Sequence, residues 1–314
     1  SREQRRMGKE GPTGGPQRIT PHVWRLGFPD YPYFLIQGQD RGVLAEGGVS
    51  GAAPRAISDL ALVPGGPDVR QGIVLHTHAD HVTGFLSLRE SDPGFSLAGT
   101  AESSRVLANG KIVSRLADQD RMYNQLLLED GRIASVPALP TQARPLDVLV
   151  TDGETWDLGD ATITFLETPG HAPGGLALWV EPDRCLLISD AAGYAERPDR
   201  LYPLFFQDFT AYQETLERLA ARSPEHLACG HNLVVSGAGA CREFLAFALS
   251  AARAMGREGA ERLEAGEPPA EAARDWALRL AAFGFFSRFP QDLLLSFSRL
   301  LLCRALGRDL DFKG

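Results

Sequence analysis

Hydrophobic positions along the chain fall into two kinds of run, and their order predicts the architecture. "VWRLGF" and "YFLIQGQDRGVLAEGGV" are short and apolar with polar interruptions, which predicts strands, the second run turning at Gly38–Gly42. "GIVLHTH" is a continuous apolar run that turns polar at its end, as a buried strand does when it carries chemistry at its C-terminus. "FSLAGTAESSRVLANG" predicts a strand, a Thr100 cap, a helix and a stop at Gly110. Residues 112–128 continue with helical spacing, Val113, Leu116 and Leu126 facing inward.

The alternation then repeats. "LDVLV", "ETWDLGDATITFLETPG", "GGLALWVEPDRCLLISD" and "EHLACGH" predict strands bounded by Gly, Pro and Asp turns. Between the last two, "DFTAYQETLERLAAR" aligns Phe209, Tyr212, Leu216 and Leu219 on one helical face. Two sets of strands interleaved with helices imply two sheets packed face to face with helices outside. From Ala238 the period becomes wholly helical, in three segments of which the last two open on prolines. The final segment is apolar nearly all round (Leu293, Leu294, Leu295, Phe297, Leu300, Leu301, Leu302), so the main domain or a second chain must cover it. The boundaries read as a flexible tail over 1–17, an α/β domain over 18–237 and a helical extension over 238–314.

Composition narrows the function classes. The 314 residues are 44% apolar and 23% charged, ordinary for a globular enzyme or binding protein. A net charge of −8 and the lack of a basic stripe beyond the tail argue against nucleic-acid binding. No apolar run is long enough to predict a membrane span, and the basic tail has no apolar stretch behind it to serve as a secretory signal. Four scattered cysteines (Cys185, Cys229, Cys241, Cys303) form neither CxxC pairs nor a disulfide framework, which points to a reducing cytoplasm.

The chemistry is concentrated in "LHTHADH". His76 and His78 share a face of an extended segment because side chains alternate, and Asp80 and His81 follow on the turn into the next helix. Further candidates stand where other strands end: His171 in "TPGHAPGG", Asp190 in "CLLISDAAG" and His231 in "ACGHN", where Gly230 is expected to give the backbone freedom to present the ring. Five imidazoles and two carboxylates suit two divalent ions, zinc foremost, with iron or manganese as alternatives. The cations remove the repulsion that would otherwise burden such a cluster. His22 and His226 lack companions and are expected to be surface or packing residues, Cys229 a small buried strand residue, and Tyr194 a packing residue. Arg121, Tyr123 and Asn124 lie on the inserted helix, where they are positioned to line an entrance.

HxHxDH followed by His, Asp and His at strand ends resembles the metallo-β-lactamase superfamily over roughly residues 18–235. The resemblance implies a four-layer αββα sandwich. It implies a first metal on His76, His78 and His171, a second on Asp80, His81 and His231, and Asp190 bridging both. Two cations about 3.5–4 Å apart lower the pKa of a shared water towards about 7, so the reaction expected is hydrolysis of a thioester or ester by a metal-bridging hydroxide. Asp80 would accept the proton and later return it. Among the branches, glyoxalase II shares the ligand set and the "CGH" around His231, but no basic cluster for glutathione carboxylates follows here. Persulfide dioxygenases share the "HADH-TG" wording with a single iron, and lactonases need a tyrosine near the bridging Asp. Flavodiiron proteins carry an acidic residue where His78 stands, and nuclease branches fit the acidity poorly. The overall layout is similar to that of the Pseudomonas quinolone signal response protein and similar thioesterases: a turn at Glu46–Ser50, a helical insertion and shielding C-terminal helices. That layout implies a small hydrophobic acyl substrate, with the extension serving as lid or as a homodimer face. A regulatory protein acting through its helical surface is the alternative from a different class.

Overall fold

The computed structural model describes residues 14–139 and 142–312. The tail expected over 1–17 therefore lies mostly outside the described residues. Seven strands form the first sheet in sequence order: β1 (Gln17–Arg18), β2 (Val23–Phe28), β3 (Tyr31–Gln37), β4 (Gly42–Ala45), β5 (Val69–Ile73), β6 (Ser96–Gly99) and β7 (Val148–Leu149). The second sheet uses β8 (Thr155–Asp157), β9 (Thr162–Glu167), β10 (Leu176–Glu181), β11 (Cys185–Ser189), β14 (His226–Cys229) and β15 (Val234–Ser236), and β12 (Tyr194–Arg197) pairs separately with β13 (Arg200–Tyr202). Helices α1 (Ala53–Leu60), α2 (Ala79–Ser91), α3 (Ala101–Leu107), α4 (Gly110–Glu129) and α5 (Phe209–Ala221) interleave with the strands; α6 (Ala238–Glu264), α7 (Pro269–Ala281) and α8 (Gln291–Leu306) follow them.

Alternation along each central strand builds two cores. Phe34 and Ile36 of β3 join Leu176, Leu178 and Val180 of β10, and Cys185 and Leu187 of β11, in the layer between the sheets. Their neighbours Tyr33, Leu35, Ala177, Trp179, Leu186 and Ile188 face the helices. Both faces of each sheet are thus dry, which is why these strands read as continuous apolar runs rather than as alternating ones. This is the αββα sandwich with C-terminal helices that the sequence predicted.

Caps explain one difference. Thr100 caps α3 as expected, its hydroxyl accepting from the Ser103 N–H at 3.1 Å. Gly110 does not end the helical region but begins α4, because the Asn109 side chain accepts from the Lys111 and Ile112 amides and starts a new helix at once. Within α4, Val113 and Leu116 are buried as predicted, while Leu127 rather than Leu126 is fully enclosed.

The apolar last helix finds much of its cover within the same chain. Leu294, Ser298, Leu301 and Leu302 of α8 are buried, and Trp276 of α7 is completely enclosed. A Cβ at Gly259 of α6 would lie 3.2 Å from the Trp276 ring, so the glycine lets the indole lie against that helix. None of the described helices is long and apolar enough to cross a membrane.

Strand direction places the chemistry. β4, β5 and β6 run parallel, as do β11 and β14, so their C-terminal ends point to a common edge. There the Leu176 amide of the second sheet donates to the Leu75 carbonyl of the first at 2.7 Å. The sheets are tied together where the polar residues begin.

Candidate metal centre

All seven residues predicted from the strand ends meet at this edge. β5 leaves its ladder at Ile73, and after a bend at Leu75 the chain reaches His78, the N-cap of α2, extended with ψ 150°. His76 and His78 hold their rings 4.7 Å apart, and Asp80 and His81 lie within the first turn of α2 rather than on a preceding turn. The loop after β9 carries His171. Ser189 of β11 sits opposite Cys229 of β14, and the next residues, Asp190 and Gly230, are locked by a Gly230 N–H to Ser189 carbonyl bond of 2.9 Å. His231 follows directly.

Among the described residues three groups of potential ligand atoms form, His76–His78–His171, Asp80–His81–His231 and, behind them, Glu46–His76–His81, each with its atoms within 4.8 Å of one another; the first two are the predicted ligand sets. Asp190 faces both groups: its Oδ2 lies 3.4 Å from His81 Nε2, 3.6 Å from His231 Nε2 and 3.8 Å from His171 Nε2. Asp80 Oδ2 lies 3.7 Å and 3.6 Å from the Nε2 atoms of His81 and His231.

Four of the rings are held from behind. His81 Nδ1 meets a Glu46 carboxylate oxygen at 2.6 Å, His171 Nδ1 donates to the Leu204 carbonyl at 2.6 Å and His231 Nδ1 to the Asp30 carbonyl at 2.7 Å. His76 Nδ1 meets the Ser189 hydroxyl at 3.0 Å. A proton held on Nδ1 leaves the Nε2 lone pair facing inward, the arrangement metal-binding histidines use. His78, half-buried, instead turns Nδ1 inward, 3.1 Å from His171 Nε2. Two imidazole nitrogens this close need a shared proton or a shared cation.

The inner atoms are short of partners. His76 Nε2, His81 Nε2 and Asp190 Oδ1 are buried with no hydrogen bond, a costly state unless something positive lies between them. Protonation follows the same division. Burial, aided by the neighbouring rings, holds His76 well below its ordinary value, His78 down to about 4 and His171 to about 3, so these three keep free lone pairs. Burial opposes charge on His81 and His231 too, but the neighbouring carboxylates together outweigh it and raise both: Asp190, Glu46 and Asp80 at His81, and Asp190 and Asp80 at His231. Asp190 is itself drawn well down, its burial outweighed by His81 and His231. In that half of the site protons carry the positive charge that a bound cation would displace.

Sequence reasoning missed the supports. Glu46, 1% exposed, stands in a left-handed backbone conformation with φ 60°. Ser189 and Asn232 share that conformation, at φ 50° and 46°, so three non-glycine residues of this rare kind border the centre. Glu46 ends the apolar run "GVLAE", so the strand-end rule that found the others could have found it. Gly230 is needed for a different reason from the one predicted. Its φ is not in the left-handed region, but a Cβ there would lie 2.5 Å from Asp190 Oδ1 and 2.7 Å from His81 Cε1.

Aromatic rings close around the cluster. Phe206 lies 6.1 Å from the His78 ring and 5.6 Å from that of His171; Phe285, from the segment joining α7 to α8, lies 4.6 Å from His231. Tyr194 is a packing residue as expected, buried and stacked on Phe285 at 5.3 Å. Tyr123 joins this wall against Phe285 and Phe289, whereas Asn124 is buried in a bond to the Gly51 amide and Arg121 is exposed on Asp118, so neither of these two lines an entrance. His22 ties to Asp183 at 2.8 Å and His226 to Ser236, both as structural residues.

Residues 30–231 match the family model of the metallo-beta-lactamase superfamily. A hydroxyacylglutathione hydrolase from Methylococcus capsulatus is 33% identical over 123 residues, 38% of this chain and 44% of that protein, so the match spans less than half of the relative's length. A metallo-β-lactamase from Cronobacter sakazakii superimposes with a TM-score of 0.57 at 20% identity, covering 80% of this chain and all of that one. An inverting sec-alkylsulfatase from Pseudomonas sp. reaches 0.65 at 16% identity, over 93% of this chain and 50% of its own. With the family match spanning more than half of its length, the fold shared and the buried His/Asp clusters fitting a dinuclear site, the chain belongs to the metallo-β-lactamase superfamily.

Proposed function

We propose that this protein is a metal-dependent hydrolase of acyl thioesters or esters, with His76, His78 and His171 holding one divalent ion, Asp80, His81 and His231 a second, and Asp190 shared between them. The observation that carries this reading is the set of inward-facing imidazole nitrogens whose opposite nitrogens are anchored, gathered around the Asp190 carboxylate. Zinc fits this nitrogen-rich set best, with iron or manganese as alternatives.

A bound ion pair supplies Lewis acidity and a water nucleophile active near neutral pH. The chain's own residues do the rest. Asp80 turns Oδ2 to His81 and His231, which leaves its other oxygen to take a proton from the attacking water and return it to the leaving group. Glu46, Ser189 and the Leu204 and Asp30 carbonyls fix ring direction, so little reorganisation is needed during the reaction.

Two features favour an apolar acyl group over a glutathione conjugate. The rings of Phe206 and Phe285 border the ligands. Arg132 is paired with Asp30, and Arg288 with Glu129 and Asp130, so neither cation is free for peptide carboxylates. The hydroxyacylglutathione hydrolase relative supports thioester chemistry as a class, since an acylglutathione is a thioester. Tyr194 gives no support to a lactonase, being buried among Phe283, Phe285 and Phe286.

The test is elemental analysis of the purified protein, then hydrolysis of acyl-thioester and ester panels by metal-loaded wild type, His78→Ala and Asp80→Asn. Activity confined to the wild type is expected. Equal rates in wild type and His78→Ala overturn the proposal, and a single iron per chain redirects it to oxygen chemistry.

A further inference from the structure

We propose that the segment Phe283–Phe289 is a latch-held gate over the metal centre, with Phe285 the side chain that closes it; the reading rests on the metal centre proposed above. His78 is half-buried, but the other half of the centre is deeply enclosed, His81 at 1% exposure and His231 at 3%, so a reactant reaches that half only by a path that opens. On the His231 side the cover is Phe285, which is itself only half-buried and so separates the ligands from solvent.

The same ring contacts Tyr194, Tyr31 and Tyr123, with centroids 5.3, 5.8 and 6.3 Å away. It is therefore seated in a socket made by three elements of the sandwich, while its own backbone belongs to the extension. Few backbone bonds hold the segment to the sandwich. The Gly284 amide donates to Glu196 Oε1 at 2.5 Å, and Arg200 donates to the Ala282 carbonyl at 2.6 Å. The amides of Phe286 and Phe289 donate only within the segment, to the carbonyls of Phe283 and Phe286.

The far end is held by charge. Arg288 Nη1 meets Asp130 Oδ1 at 2.7 Å and Nη2 meets Glu129 Oε2 at 2.6 Å, both acids standing at the C-terminal end of α4. All three side chains are well exposed (38%, 44% and 52%), so water and salt compete for them. Phe283, Phe286 and Phe289 are buried and must come away with the segment, so opening is a local unfolding of the cover that leaves the sheets beneath intact, and it becomes easier when the screened two-pronged ion pair is lost. When it opens, Phe285 withdraws from His231 and the side of the centre nearest Asp80 and Tyr194 is uncovered. Arg288 acts through the segment and is a positioning residue.

Two measurements on the full-length protein test this. In amide hydrogen exchange, peptides covering 283–290 should exchange about two- to fivefold faster in Arg288→Ala than in wild type, with α5 unchanged. In zinc-loaded protein, release of the ion to excess chelator should quicken by a similar factor in Arg288→Ala, and about tenfold in Phe285→Ala, which loses most of a half-buried ring. Added salt should speed wild type toward the Arg288→Ala rate and leave that variant unmoved. Phe285→Leu, which keeps much of the volume, should fall between and guards against misfolding as the cause. Unchanged exchange in Arg288→Ala, or wild-type release from Phe285→Ala, overturns the gate. Failure to take up zinc, iron or manganese defeats the metallohydrolase reading instead, while the exchange comparison still decides the gate.

Discussion

Replacing Gly230 with alanine tests whether the centre is as closely built as its distances imply. A methyl at that Cα would sit 2.5 Å from Asp190 Oδ1, 2.7 Å from His81 Cε1 and 3.2 Å from the Ser189 carbonyl carbon. The first two lie well inside van der Waals contact, so Asp190, His81 or the strand end must shift by most of an ångström. None is free to do so. His81 is braced by Glu46 at 2.6 Å, and Gly230 itself is bonded to the Ser189 carbonyl at 2.9 Å. Crowding a packed site by one methyl costs about 1–3 kcal/mol of stability. Displacing ligands or their supports lowers metal affinity about 10–100-fold. Chemical denaturation under chelation should report the first number, and competitive zinc titration the second. Gly239→Ala is the control, since its Cβ would meet only an Arg242 side-chain nitrogen at 3.9 Å in the first turn of α6. If Gly230→Ala binds zinc and unfolds like wild type while Gly239→Ala does too, the packing argument for the centre is wrong.

Glu46→Gln keeps an acceptor for His81 Nδ1 but removes its charge, so zinc affinity should fall about 10–100-fold with the fold intact; unchanged affinity would show that Glu46 merely fills space. Trp276→Ala empties the fully enclosed indole site between α6 and α7 and should cost about 3–5 kcal/mol in denaturant unfolding. A loss under 1 kcal/mol, on the scale of about 0–0.5 kcal/mol for surface changes, would mean that the extension is not packed as described. For acid, the relevant groups are the carboxylates around Arg262. Hydrogen bonds from Arg279 hold Glu258 below its ordinary 4.5, and Arg262 does the same for Glu267; Asp275 is also lowered, its burial outweighed by Arg262 and Arg279. Depressed carboxylates stabilise the fold fully above their ordinary values and cease to as pH falls through the folded ones. Protection factors for hydrogen exchange in α6 and α7, corrected for the intrinsic slowing of exchange in acid, should therefore fall as pH drops below about 4.5, and less so in Arg262→Gln; parallel curves would remove the network from the account.

Local rules carried much of this protein. Period-two and period-3.6 patterns are properties of a few neighbouring residues, so the strands, the helices and the two-sheet arrangement were readable before any coordinates. The ligands were readable for a related reason: imidazoles and carboxylates at the ends of buried strands are costly without a cation, and "LHTHADH" packs four into one short stretch. Where local rules failed, a nearby interaction overrode them, as when Asn109 turned an expected stop at Gly110 into a start.

Tertiary structure decided which strand ends meet. The parallel register of β11 with β14, and the Leu176–Leu75 bond between sheets, bring residues far apart in sequence to one edge. No periodicity encodes such pairings, because they depend on what every other strand has already buried. The same holds for Glu46 behind His81, for the lack of room at Gly230, and for Phe285, which reaches His231 from beyond α7 only after the extension has folded back on the sandwich. Chemistry written into a side chain survives in the bare sequence; its orientation and its cover are consequences of long-range packing.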